Sequence, residues 1–234
     1  FMCTVTFIPQ SFSEFVLTSN RDESPIRLTI PPAIYNVDEV ALLFPKDEVA
    51  GGTWFGVSEQ QRLICLLNGG FNAHKRAENY RMSRGLIVTN LLASENAVAE
   101  IEAYDFMGIE PFTIIMVDWK KELQLYELVW DGNSKYLSEK PLIPHIWSSS
   151  LLYSEEMKKK REAWFSDFII NNLNPSKTDI LQFHKLAGEG SLETNLVMER
   201  GFVKTKSITQ YSKSEKSAMR YEDLQTLNVK KHYF

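Results

Sequence analysis

The chain predicts an α+β fold in which helices cover a mainly antiparallel sheet system. An alternating, β-branched segment opens the sequence, a hairpin closes it, and two blocks of two helices each interrupt the strands. Strand and helix do not alternate singly, as a doubly wound parallel sheet would require. The 234 residues read as one domain spanning 1–234. A 44 % hydrophobic fraction with 14 Phe, 9 Tyr and 5 Trp supplies a core and excludes a disordered chain.

The elements follow in order. Residues 3–8 (CTVTFI) alternate as a strand, Pro9 and the polar residues 10–13 turn the chain, and residues 15–19 (FVLTS) return as a hairpin partner. Asn20-Arg21-Asp22-Glu23 follows at the strand end. Pro25, Pro31 and Pro32 predict a surface loop over residues 24–36. Residues 40–44 read as a short strand. Residues 53–58 and 63–68 read as a second hairpin, closed by Gly69-Gly70. Ser83 caps a helix running to Leu92, and Ser94 caps another over residues 95–106. Two further strands, 111–117 and 123–130, precede an ambiguous stretch at 142–147 that Pro141 and Pro144 interrupt. Residues 154–172 form the clearest helix, with Ser154, Glu155 and Glu156 in its first turn and the Lys158–Arg161 run as a solvated face. An amphipathic helix over 178–187 ends at Gly188, and residues 207–211 pair with 218–222 in a last hairpin.

Charge and cysteine usage narrow the function classes. The net charge of −4 and a pI near 5.7 argue against a general nucleic-acid or anionic-membrane binder. Two cysteines, Cys3 and Cys65, are too few for a disulfide scaffold, and the four histidines lack metal-ligand spacing, so no metal site is expected. Residues 112–117, among the longest candidates, are strand-sized, so no membrane span is expected. No secretory leader or lipidation box is read at either end, and a soluble cytoplasmic protein is the expectation. Phe1 is not a start-codon residue, whereas Met2 could be the initiator. The alternative is that both belong to a longer chain.

If Met2 is the initiator, its removal makes Cys3 the first residue. Cys3 then carries a thiol nucleophile and a free α-amine whose ordinary pKa, about 7.7–8.0, suits a general base. The commoner role for a cysteine in a strand is as a small buried residue, and Cys65, in an apolar run, has only that role. In Asn20-Arg21-Asp22-Glu23, Arg21 could fix a carboxylate or orient a thiolate, and Asp22 could hold the α-amine. The commoner role of such a string is a solvated turn. Asn68, at a strand end before two glycines, could donate to an oxyanion or merely form the turn. Trp54 could wall a pocket or sit in the core. His184 reads as packed or surface. Arg76, Arg81 and Arg84 could meet an acidic ligand group, but read more simply as a helix-start cluster.

Met2-Cys3 before a strand, Ser19-Asn20-Arg21-Asp22-Glu23, Pro45-Lys46-Asp47, Ala50-Gly51-Gly52-Thr53-Trp54, Leu66-Leu67-Asn68-Gly69 and Ser83-Arg84-Gly85 together resemble one family. It is the NRDE family, relatives of the transport and Golgi organisation protein 2, and the resemblance is dense over residues 2–92. It implies an N-terminal-nucleophile hydrolase-like fold, a four-layer αββα sandwich. By analogy with bile-salt hydrolases and penicillin V acylases, it implies Cys3 as nucleophile, Arg21 as its neighbour, Asp22 (or Glu23) at the amine and Asn68 as oxyanion donor. Asn20, Glu23, Trp54 and Lys206 are the expected substrate contacts. Lys206, in Lys204-Thr205-Lys206-Ser207-Ile208-Thr209, stands where family members carry arginine, and keeps its charge without its bidentate fork.

Two functions are compatible with these residues. One is an amidohydrolase of non-peptide C–N amides that needs no cofactor. The other is a binding or trafficking protein for a hydrophobic ligand such as haem, an acyl-CoA or a lipid, in which the Cys3 thiolate or a histidine would ligate iron.

Overall fold

The computed structural model describes residues 2–151 and 153–234, with Met2 and Cys3 described by their backbone. In chain order the first elements are β1 (Met2–Pro9), β2 (Phe15–Glu23), β3 (Thr29–Val37), β4 (Val40–Asp47), β5 (Phe55–Ser58), β6 (Arg62–Asn68), α1 (Arg84–Ala93) and α2 (Ala97–Ala103). They are followed by β7 (Phe112–Asp118), β8 (Gln124–Trp130), β9 (Lys135–Lys140), β10 (His145–Ser148), α3 (Glu155–Asn171) and α4 (Lys177–Leu186). The chain closes with β11 (Glu199–Arg200), β12 (Val203–Lys213), β13 (Ala218–Asp223) and β14 (Val229–Tyr233). The chain divides into two compact units, one built from its two ends and the other from residues 27–142.

The unit built from both ends holds an antiparallel sheet in the order β10-β1-β2-β12-β13-β14, with β11 paired to β12. α4 lies on β2 and β12, and α3 on β10. Ile8 and Val16 of the sheet meet Phe165 of α3, Ile180 and Phe183 of α4, and Leu196 in one buried cluster. Ser154, expected in the first turn, instead caps α3 by accepting from the Met157 N–H. Ser176 and Asp179 cap α4 reciprocally. Arg161 departs from expectation: it is fully buried, because its guanidinium turns down to the sheet and leaves its lysine neighbours on the solvated face.

The second unit is a seven-stranded antiparallel meander, β3 through β9 in sequence order, with α1 packed on β4, β5 and β6, and α2 packed on α1. Each unit by itself holds one sheet with helices packed on it. The expected loop at 24–36 is instead largely the edge strand β3. An edge strand tolerates Pro31 and Pro32 because one side of its backbone has no ladder to lose, and its register shifts between Ile30 and Ala33 to accommodate them. The second helix starts later than expected, capped by Asn96 rather than Ser94, and ends at Ala103. Strands β9 and β14, both polar edge strands, had no apolar alternation to announce them.

The Gly-Gly-Thr-Trp and Ser-Arg-Gly motifs form one contact. The Thr53 N–H donates to the Gly85 carbonyl at 3.2 Å, and a Cβ on Gly52 would fall 2.3 Å from the Gly85 carbonyl carbon. The start of α1, capped by Ser83, therefore presses backbone to backbone on the turn before β5. Gly51 differs, since it has open space around it but a φ of +74°. Gly52→Ala should cost about 1–3 kcal/mol by overpacking, and Gly51→Ala about 1 kcal/mol by backbone strain. Thermal unfolding should rank them in that order, and equal melting points would contradict the contact.

Candidate active site at the start of the first strand

β1 and β2 pair so that Cys3 stands opposite Arg21, and Met2 opposite Asp22. Side chains on a strand alternate between faces, and directly paired residues share a face. Arg21, the ladder partner of Cys3, and Glu23 therefore share one face of the sheet, 3.7 Å apart between guanidinium and carboxylate. The Cys3 thiol itself lies outside the described side chains. Lys206 is the extra residue of a β-bulge in β12, between Thr205, which pairs with Asp22, and Ser207, which pairs with Arg21. Its ammonium donates to the Pro25 carbonyl at 3.1 Å. Its pKa is lowered, first by burial and then by the Arg21 charge, while Asp223 and Glu23 act in the opposite direction.

Asn20 and Asp22 face the other way, beneath the helices. Asp22 is buried and accepts two hydrogen bonds, from the Tyr153 hydroxyl to Oδ2 and from the Thr205 hydroxyl to Oδ1, each 2.5 Å. Thr205 Oγ1 in turn accepts from the Met198 N–H at 2.9 Å, which leaves its proton for Asp22. Burial pushes the Asp22 carboxyl up to about 6 despite those two donors and the charges of Arg161 and Arg200. The Tyr153 hydroxyl is raised in turn, by burial and then by the Asp22 charge.

Asn20 donates both amide hydrogens, to the His184 and Leu196 carbonyls at 3.0 Å each. Its Oδ1 must then be the acceptor for His184 Nδ1–H at 2.7 Å, which fixes the tautomer. The His184 Nε2 is left to accept from the Thr6 hydroxyl at 2.7 Å. Burial, then the Arg161 charge, holds this imidazole neutral, with its pKa lowered to about 3. This corrects the expectation of Asn20 as a substrate contact, because each of its polar side-chain atoms is committed to tying α4 and the Leu196 segment under β2. His184 is packed, as expected.

The remaining candidates belong to the second unit. Asn68 ends β6 opposite Phe112, half-buried, and Gly69 follows at φ +92° with its N–H donating to the Pro111 carbonyl at 3.0 Å. Trp54 is buried, in its commoner role as a core residue. Two of the three arginines of the helix-start cluster have an internal partner in buried Glu110, which lies 3.0 Å from Arg84 and 3.9 Å from Arg76, and the third, Arg81, meets Asp105. Among the described residues no group of three or more His, Cys, Asp or Glu could hold a metal ion, and no helix is long and apolar enough to cross a membrane.

A family model described as Transport and Golgi organisation 2 matches residues 2–228. The chain belongs to that family. No curated protein matches this member of the Transport and Golgi organisation 2 family at a significant level. Among solved structures, penicillin V acylase from Agrobacterium tumefaciens is 10 % identical with a TM-score of 0.64, over 99 % of this chain and 86 % of that one. A variant of conjugated bile acid hydrolase from Clostridium perfringens is 9 % identical with a TM-score of 0.61, over 99 % and 92 %. The Caenorhabditis elegans ortholog of N-acylethanolamine-hydrolyzing acid amidase is 9 % identical with a TM-score of 0.62, over 89 % and 92 %. This Transport and Golgi organisation 2 family member therefore has the fold of the N-terminal-nucleophile hydrolases, as its motifs imply.

The polar cluster under β1 and β2 makes opposite contributions to stability as pH changes. Asp22, raised from 3.8 to about 6, binds a proton more readily when folded. Its contribution is full below 3.8 and is lost as pH rises through about 6. His184, lowered from 6.5 to about 3, binds a proton more readily when unfolded, so its contribution is full above 6.5 and is lost as pH falls toward 3. Between pH 4 and 6 the two slopes, each at most about 1.4 kcal/mol per pH unit, oppose one another. Urea titrations at several pH values should show Asp22→Asn losing stability on acidification more steeply than the parent, and His184→Gln less steeply. Parallel profiles for all three proteins would contradict the assigned charge states.

Proposed function

We propose that this chain is an N-terminal-cysteine amidohydrolase acting on a non-peptide C–N amide bond. The observation that carries the reading is the register at the start of β1, where Cys3 stands opposite Arg21 and Met2 opposite the buried carboxylate of Asp22. Three structures sharing the fold are named as acylases, hydrolases or amidases, and that lends the reading support.

Removal of Met2 would create an α-amine at Cys3, at the strand position next to the one Asp22 faces. Tyr153 and Thr205 each occupy one lone pair on a different oxygen of Asp22, so the carboxylate retains acceptor capacity for an ammonium N–H. The free amine takes the thiol proton, and the thiolate attacks the amide carbonyl to form a tetrahedral oxyanion. Collapse breaks the C–N bond. The proton held on the α-amine passes to the leaving nitrogen, and a thioester remains on Cys3. Water, deprotonated by the same amine, then attacks the thioester and releases a carboxylic acid and the thiol.

Arg21, opposite Cys3 in the ladder, supplies in this scheme the positive charge that favours the thiolate. Glu23 and Lys206 flank Arg21 and would contact the polar end of the substrate. Asn68 contributes through its side-chain amide, a suitable oxyanion donor.

Turnover of a chromogenic acyl-nitroanilide series by protein beginning at Cys3 tests the reading. Cys3→Ala should abolish turnover with the fold intact, and Asn68→Ala should lower kcat about 10²–10³-fold. Undiminished turnover in Cys3→Ala would overturn the mechanism. Absence of turnover, together with a shifted haem absorption band on titration, would favour the carrier function instead.

A further inference from the structure

Arg161 is the largest charged group under the first strand, and the reaction above does not use it. It sits on α3, fully buried, with its guanidinium 3.6 Å over the Tyr153 ring. One terminal nitrogen donates to the Thr4 hydroxyl at 2.5 Å and the other to the Asn195 carbonyl at 3.1 Å. Its Nε has no hydrogen-bond partner, and among the described residues no carboxylate lies within 4.0 Å of it. A buried guanidinium that only tied α3 to the sheet would leave its charge uncompensated at several kcal/mol by ordinary desolvation. The compensating charge is Asp22, reached through the Tyr153 ring and hydroxyl.

The two ends of this chain of contacts meet the proposed site at adjacent points. Thr4 is the residue after Cys3, and Asp22 pairs with Met2, the residue before it. We propose that Arg161 and Tyr153 are positioning residues for Cys3, holding Thr4 in place and Asp22 ionised from the helix-covered face of the sheet. The inference rests on the amidohydrolase reading and deepens it. The groups that face Asp22 are Tyr153 ahead of α3, Arg161 of α3, Arg200 of β11 and Thr205 of β12, and His184 of α4 is coupled to Arg161. Of these, Arg161, Arg200, Tyr153 and Thr205 all favour the charged carboxylate. Loss of Arg161 or of the Tyr153 hydroxyl should therefore move the proton uptake of Asp22 to higher pH.

The test is alkylation of Cys3 by iodoacetamide, followed by intact mass, in protein beginning at Cys3 from pH 4 to 9. Cys65 is fully buried and is protected in the folded protein. The parent should lose reactivity on the acid side as Asp22 takes up its proton. Arg161→Met and Tyr153→Phe should each move that limb upward by about one pH unit, which slows alkylation about tenfold at a pH below the midpoint of the parent and only about twofold one unit above it. Arg161→Lys should restore most of the parent profile, which a purely packing role would not require. A folded Tyr153→Phe or Arg161→Met protein with the parent profile would overturn the proposal while leaving the hydrolase reading in place. Because Tyr153→Phe removes one hydroxyl and no volume, it keeps the test available if Arg161→Met fails to fold. A parent Cys3 that is unreactive across the range would overturn both.

Discussion

The alternation of β2 divides two chemistries between the faces of one strand, and the arrangement around it depends on that division. Arg21, which pairs with Cys3, shares one face with Glu23, while Asn20 and Asp22 point beneath the helices. A one-residue slip of β2 against β1 would exchange them, placing a carboxylate opposite Cys3 in the ladder and a guanidinium where Asn20 and Asp22 now meet His184, Leu196 and Tyr153. The register is held from both sides. β2 pairs along its length with β1 and β12, and the helix-covered face adds side-chain ties that only one register satisfies.

Those ties explain how so much polarity survives burial. Asn20 has each side-chain polar atom bonded, the His184 ring nitrogens have complementary roles, and each Asp22 oxygen has a donor. A buried polar cluster of this kind is costly when half satisfied and strongly specifying when complete. The cluster draws on β1, β2, β12, α3 and α4, so a substitution in one element is felt across that unit. The paired Gly52 and Gly85 play the corresponding part in the other unit by allowing α1 to approach the sheet backbone.

Much of this was legible in the sequence. The Ser83 cap, the helix beginning near Ser154, the strands around Cys3, the apolar strands β7 and β8, and the family motifs were each readable locally. Residues 24–36 were misread because proline argues against a strand, and only the position of β3 at a sheet edge removes that objection. Arg161 was misread because a Lys-Lys-Lys-Arg run looks uniformly solvated, and nothing local says that its fourth member turns inward. Tyr153, Thr205 and His184 lie more than 130 positions from Asp22, and no local pattern joins them to it. The Thr-x-Thr spacing of Thr4 and Thr6 was a usable signal, since two hydroxyls on one face of an otherwise apolar strand require partners there.

The role of Cys3 depends on a free α-amine, and one measurement bears on it directly. Untagged protein expressed from Met2 should be analysed by intact mass and N-terminal sequencing. The account predicts a chain that begins at Cys3. A homogeneous chain that retains Met2 would have no amine base on Cys3, and would contradict the proposed chemistry at its first step.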